Sequence, residues 1–163
     1  MHKRHVLKSC LAWALAAAMP VWAQSYPSKP IRLVCPFTPA GAVDIASRAI
    51  ALELSKQLGV SVTVDNKPGA GGNIGAAEVV RAAPDGYTLL MTTSGISAIN
   101  PTLYPRLTFD TLKDLAPIAA LVSLNNVLVV TPSLKAQTVN EFIALGQSTP
   151  VTVASSGNGT SIH

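Results

Sequence analysis

The sequence predicts an α/β layered fold with a largely parallel sheet. Three observations lead there. Short apolar runs rich in β-branched residues recur along the chain, segments with helix periodicity or helix caps alternate with them, and most runs are apolar on both faces. A strand apolar on both faces belongs in a sheet covered on two sides. Strands that alternate with helices are connected in parallel. No internal repeat of solenoid period is present.

Residues 31–35, Ile-Arg-Leu-Val-Cys, read as a buried strand that Pro36 ends. A loop follows, and Asp44 is placed as the N-cap of a helix over 45–58 that Gly59 stops. Ala46, Ile50, Leu54 and Leu58 recur every fourth residue and give that helix one apolar face. Residues 60–64 form the second strand and 66–72 a glycine-rich loop. Asn73 caps a helix over 74–82, which Pro84 ends; Pro84-Asp85-Gly86 is a turn, and 87–92 the third strand. Residues 93–114 hold Pro101 and Pro105 and read as loop with short helical turns. Further strands are expected at 118–122 and 127–131, separated by Asn125-Asn126, and at 151–154. Between them Thr138 and Glu141 form a capping box for a helix over 139–147. Residues 155–161 are a second loop of small residues.

The composition narrows the function. The chain has 163 residues, 48% hydrophobic and 12% charged, enough for about one domain with a core and too apolar for a disordered segment. Its net charge of +4 is concentrated in Lys3, Arg4 and Lys8; without these, nine basic residues face eight acidic ones. A chain so nearly neutral, with 5% aromatic residues, has no footprint for nucleic acid.

The basic start, the apolar run 10–18, the break at Met19-Pro20 and the small residues of Val21-Trp22-Ala23 make a secretory signal peptide. Cleavage is expected after Ala23. The apolar stretch 10–23 is too short for a membrane span, which needs about 20 residues. The mature chain is therefore expected in the periplasm. It keeps one cysteine, Cys35, read as a small buried hydrophobe.

Chemical motifs are scarce. Gly69-Ala70-Gly71-Gly72-Asn73-Ile74-Gly75 lies between a strand and a helix, but a dinucleotide fingerprint would need glycine at 74 and an acidic residue about 20 positions beyond Gly69. It is read as a loop that needs glycine conformations. The mature chain has one histidine, His163, and Thr92 stands where a nucleophile elbow before Ser94 would need glycine. No enzyme, cofactor or metal is expected. What remains is three loops, 37–44, 93–97 and 155–161, each expected at the carboxyl end of a strand. Backbone N–H groups and hydroxyls converging there suit a small anion such as a carboxylate.

Several blocks resemble the Bug-type extracytoplasmic solute receptors, the substrate-binding proteins of tripartite tricarboxylate transporters. They are Tyr26-Pro27-Ser28-Lys29-Pro30 with Ile31–Val34 and Pro36-Phe37; Gly41-Ala42-Val43-Asp44; Val64 to Asn66 with Lys67–Gly75; and Ala83-Pro84-Asp85-Gly86-Tyr87-Thr88-Leu89-Leu90. Asn100-Pro101 with Leu103-Tyr104, Val127–Val130 and Ser155–His163 follow in order.

The resemblance implies a type II periplasmic-binding-protein-like clamshell that binds a small organic acid between two lobes and passes it to membrane permease subunits. Di- and tricarboxylates, acidic amino acids and aromatic acids are the ligand classes. Lobe one (24–122) would supply Phe37, Thr38, Ala40, Gly41, Thr93, Ser94 and Gly95; lobe two, starting at 123, would supply Ser156, Gly157, Asn158, Gly159, Thr160 and Ser161. The receptor would be monomeric when full-length.

Ala40 stands where the family has the first of two paired glycines. The family is also about twice as long, so the chain is expected to be incomplete, lacking the rest of lobe two and the return segment of lobe one. A receptor feeding a sensor and a non-functional truncated fragment are the alternative readings; a secreted hydrolase fits poorly. N-terminal sequencing of periplasmic material is expected to begin at Gln24, and material beginning at Met1 would contradict the leader.

Overall fold

The computed structural model describes residues 25–163, so the leader lies outside the described residues. Its elements are β1 (Ile31–Cys35), α1 (Ala42–Leu58), β2 (Val62–Asn66), a 3₁₀ turn (Ala70–Gly72), α2 (Asn73–Val80), β3 (Thr88–Leu90), a π-helical turn (Gly95–Ile99), α3 (Asn100–Leu103) and α4 (Val139–Ser148). No described helix is long and apolar enough to cross a membrane.

The sheet has the order β2-β1-β3, with both pairs parallel. β1 is the middle strand, and Ile31, Leu33, Val34 and Cys35 are all buried. This is why its sequence is apolar on both faces: each face has its own helix. Leu33 lies in register with Val64 and Leu89, and that face packs on α1 through Ile31, Ala51, Val62 and Met91. Val34 lies in register with Leu90 on the opposite face, where Ala76 and Ala77 of α2 pack with Ile96 and Phe109. Ala46, Ile50 and Leu54 of α1 pack against the first cluster as the four-residue spacing requires, whereas Leu58, the last residue of the helix, is 37% exposed.

Arg32 alone breaks the apolar run of β1. It faces α2, where Nη1 donates to Glu78 Oε1 at 2.6 Å and to Asp65 Oδ2 at 3.2 Å. Lys67 Nζ stands 3.5 Å from Asp65 and 3.7 Å from Glu78. The four charges tie β1, β2 and α2 together at half-exposed positions.

The Pro84–Tyr87 turn anchors the first described residues. Tyr26 donates to the Gly86 carbonyl at 2.7 Å, Lys29 pairs with Asp85 at 3.0 Å and sits 4.2 Å above the Tyr87 ring, and the Tyr87 hydroxyl accepts the Ser28 amide at 2.9 Å.

Several boundaries depart from the sequence reading. α1 begins at Ala42 with Gly41 as its N-cap, so Asp44 lies inside the first turn. Its carboxylate reaches back to the amide of Ala40, the residue before the N-cap, at 2.8 Å. β2 runs from Val62 to Asn66, two residues later than expected, because Gly59 in the left-handed region and the Ser61 carbonyl bonded to Ile31 complete the turn first. α2 begins at Asn73 itself, with Gly72 as the N-cap. β3 shortens to three residues.

The largest departure is in the second half. Residues 118–122, 127–131 and 151–154 form no strand. Their composition suits a sheet, but a strand exists only where a neighbour accepts and donates along its edge. Here no ladder forms, and Ile118, Val127 and Val129 are 82%, 79% and 80% exposed. A cavity of about 690 Å³ lies between Val127–Val130, Val151–Ala154 and the Phe142 and Leu145 side chains of α4. α4 itself forms as the capping box requires. Thr138 Oγ1 accepts the Glu141 amide at 3.2 Å, and the Glu141 carboxylate accepts the Gln137 amide at 2.7 Å. Its local signals suffice to form it, although none of its residues is buried.

The three-layer unit around β1 predicts where stability resides. Leu33→Ala is expected to cost about 2–5 kcal/mol in urea denaturation. Leu112→Ala, at a side chain 90% exposed, is expected to stay within about 0.5 kcal/mol of the parent.

Candidate functional site

The site is built at the carboxyl edge of the sheet. β1 ends at Cys35, and the chain turns through Phe37–Gly41 into α1. This loop is held by the buried Asp44. Its Oδ2 accepts from the Ala40 amide at 2.8 Å and from Arg48 Nε at 2.9 Å, and its Oδ1 accepts from Asn66 Nδ2 at 2.8 Å. The same Asn66 amide donates to the Phe37 carbonyl at 3.0 Å, and Asn66 Oδ1 accepts from Arg48 at 3.0 Å. The Arg48 hydrogen bond foremost, then those from Asn66 and Ala40, lowers the Asp44 pKa to about 2. Both ends of the first loop are thereby fixed by one carboxylate and one amide side chain.

Ala40 sits at φ 65°, in the left-handed region, despite its methyl group. That conformation costs an alanine about 1–2 kcal/mol relative to glycine's freedom, and the bond from its amide to Asp44 holds it there. The methyl therefore does not forbid a positive φ at this position.

The second loop follows β3. Met91 donates to the Val34 carbonyl at 2.9 Å, the last sheet bond on that edge. Thr93 and Ser94 then lead into the π-helical turn, where Ser97 N–H donates to the Thr93 carbonyl at 3.0 Å and Thr92 and Ser97 share a hydroxyl contact of 3.0 Å. Gly95 and Ile96 are buried, and Phe37 of the first loop packs against the cluster that contains Ile96.

The third loop does not follow a strand, since 151–154 is irregular; it is shaped by its own hydroxyls. Ser156 Oγ donates to Thr160 Oγ1 at 2.8 Å, Thr160 Oγ1 donates to the Gly157 carbonyl at 2.7 Å, and the Gly157 amide donates to Ser155 Oγ at 3.2 Å. Ser155 Oγ also lies 2.7 Å from His163 Nδ1. Both groups are exposed, and the contact joins the two ends of the loop.

The structure brings the second and third loops together at Gly95 and Gly159, where a Cβ on Gly95 would strike the Gly159 carbonyl. Phe37 joins them through Ile96. Thr38, Ala40 and Gly41 make no hydrogen bond to either of the other loops among the described residues. None of the three loops carries a Lys or Arg side chain.

The glycine run 69–72 lies beneath this arrangement as structure. All four residues have positive φ, Ala70 among them, and a Cβ on Gly72 would lie 2.5 Å from Ile96 Cδ1. The glycines let the start of α2 press against Pro36 and Ile96. Sequence reasoning missed Asn66, Asn100 and Tyr104 as parts of the site region. Asn66 carried a signal, because a polar residue ending an apolar parallel strand stands at the ligand edge.

Residues 46–163 match the family described as the tripartite tricarboxylate transporter family receptor. The chain belongs to that family. Among curated relatives, protein BugT of Bordetella pertussis is 38% identical over 138 residues, covering 84% of this chain and 42% of BugT. A protein of Pseudomonas sp. from a tcbD–tcbE intergenic region is 36% identical over 141 residues, covering 85% and 42%. The chain thus spans less than half the length of these relatives.

Among solved structures, a protein from R. palustris determined with adipate superposes with a TM-score of 0.73 at 36% identity, over 77% of this chain and 42% of the other. The periplasmic binding protein BugD gives 0.53 at 39% identity, over 55% and 29%. MatC of Rhodopseudomonas palustris, solved with malate, gives 0.57 at 36% identity, over 59% and 33%.

In this chain the Asp44 hub has a measurable signature. A carboxyl whose folded pKa is lowered contributes stability above its unfolded value and loses it as pH falls through the folded value. The contribution of Asp44 is therefore complete above about pH 4 and disappears towards pH 2. Asp44→Asn is expected to lower the melting temperature at neutral pH, with the gap to the parent closing between pH 4 and 2. A gap that stays constant over that range would contradict the hub.

Proposed function

We propose that this chain is the receptor of a tripartite tricarboxylate-type transporter. It captures a small organic carboxylate in the periplasm and presents it to membrane permease subunits. The family match over 46–163 carries this reading. The adipate and malate named for two related structures support the ligand class.

The ligand would be held by Phe37, Thr38, Ala40 and Gly41, by Thr93, Ser94 and Gly95, and by Ser156, Gly157, Asn158, Gly159, Thr160 and Ser161. These loops offer neutral donors only: amides at the amino end of α1, the hydroxyls of Thr38, Thr93, Ser94 and Ser161, and the amides of Asn158 and Gly159. Backbone amides bind a carboxylate without a fixed counter-charge, and the helix dipole adds to the attraction. Residues up to 122 would form one lobe and those from 123 the beginning of a second. Closure would be driven by contacts that the ligand makes with both lobes at once.

The expected preference is for the ionised acid. A charge-assisted hydrogen bond contributes about 1.5–3 kcal/mol, against about 1 kcal/mol for a neutral one. Calorimetry with adipate and malate beside their diamides is expected to show at least a tenfold preference for the acids, without added metal. Equal affinity for acid and amide would refute the reading.

A further inference from the structure

Asn100 is fully buried and lies outside the three loops. Its Nδ2 donates to Asn73 Oδ1 at 2.6 Å and to the Gly71 carbonyl at 3.2 Å. Its Oδ1 has no hydrogen-bond partner and lies against Gly159, where any Cβ would collide with it. One helical turn on, Tyr104 donates its hydroxyl proton to the Asn158 carbonyl at 3.1 Å. Two glycines complete the surroundings. A Cβ on Gly71 would lie 2.6 Å from the Asn158 carbonyl oxygen, and one on Gly95 would strike the carbonyl of Gly159. The Asn158–Gly159 backbone is thus seated in a cradle of two glycines and two polar side chains. The cradle reads the path of the main chain and requires no particular side chain on the loop, apart from the absence of one at Gly159.

The position of this cradle matters. Asn100 and Tyr104 belong to the segment after β3 that also carries Thr93–Gly95, while Asn158 and Gly159 belong to the loop after the irregular second half. No other hydrogen bond among the described residues joins residues 155–163 to the β1-centred unit.

Building on the carboxylate-receptor reading above, we infer that Asn100 and Tyr104 are positioning residues for ligand capture. They dock the 156–161 loop onto the unit that carries the first two loops. They thereby set the fraction of molecules in which the three loops face one ligand. Apparent affinity scales with that competent fraction, so two side chains that need not touch the ligand tune its binding.

The test uses the whole protein and two variants that act differently. Tyr104→Phe keeps the ring and removes the hydroxyl. Gly71→Ala keeps every side-chain donor and places a methyl group against the Asn158 carbonyl. Hydrogen exchange without ligand is expected to rise at residues 157–161 in both variants, with the exchange of β1 and α1 unchanged. Calorimetry is expected to show adipate or malate binding about three- to tenfold weaker in Tyr104→Phe, the effect of losing one neutral hydrogen bond. Unchanged exchange at 157–161 in both variants would overturn the docking, and raised exchange with unchanged affinity would overturn its link to capture. A parent protein that binds neither acid would count against the receptor reading instead, because the exchange measurement needs no ligand.

Discussion

The organising constraint of this structure is the burial of β1 on every side. Its backbone is paired in parallel with β2 on one edge and β3 on the other, and its side chains are covered by α1 on one face and α2 on the other. A strand in that position must be apolar almost throughout, and any polar residue on it must be satisfied. Arg32 meets the second condition through Glu78 and Asp65. The helices must also come close. At α2 that approach depends on glycine, because a Cβ on Gly75 would lie 2.9 Å from Pro36 Cβ.

The arrangement brings two of the proposed ligand loops to one edge. Parallel strands deliver their carboxyl ends to the same side, so the loop after β1 and the loop after β3 emerge together, and Phe37 meets the Ile96 cluster. The carboxyl end of β2 contributes Asn66, which bonds the first loop rather than presenting itself outward. Asp44, the one buried carboxylate among the described residues, spends its hydrogen bonds on Ala40, Arg48 and Asn66. Its negative charge is neutralised by Arg48 within the scaffold, and with the Ala40 amide committed to Asp44 and the Gly41 amide to Thr38, the unbonded amides are those that open α1.

The second half follows a different logic. α4 is encoded locally by Thr138 and Glu141, and it forms without burying a residue. The apolar runs around it have the composition of sheet strands, but they find no edge to pair with, and a cavity separates them from the helix. Residues 156–161 hold their shape by short-range hydroxyl bonds and take their place from Gly71, Gly95, Asn100 and Tyr104.

The sequence by itself determined β1, the existence of the helices that follow the 37–44 and 66–72 loops, the glycine-dependent turn before α2, the capping box of α4 and the small-residue character of all three loops. Each is a local matter of periodicity, caps or backbone freedom, written in neighbouring residues. Only the tertiary structure decided that Asp44 lies within α1 and clamps Ala40 and Asn66, that Ala40 adopts a positive φ, that residues 118–131 remain unpaired, and that Asn100 and Tyr104 seat Asn158 and Gly159. Those features depend on partners 18 to 59 positions away or on a neighbouring strand edge, and a single chain segment carries no record of the partner it will meet.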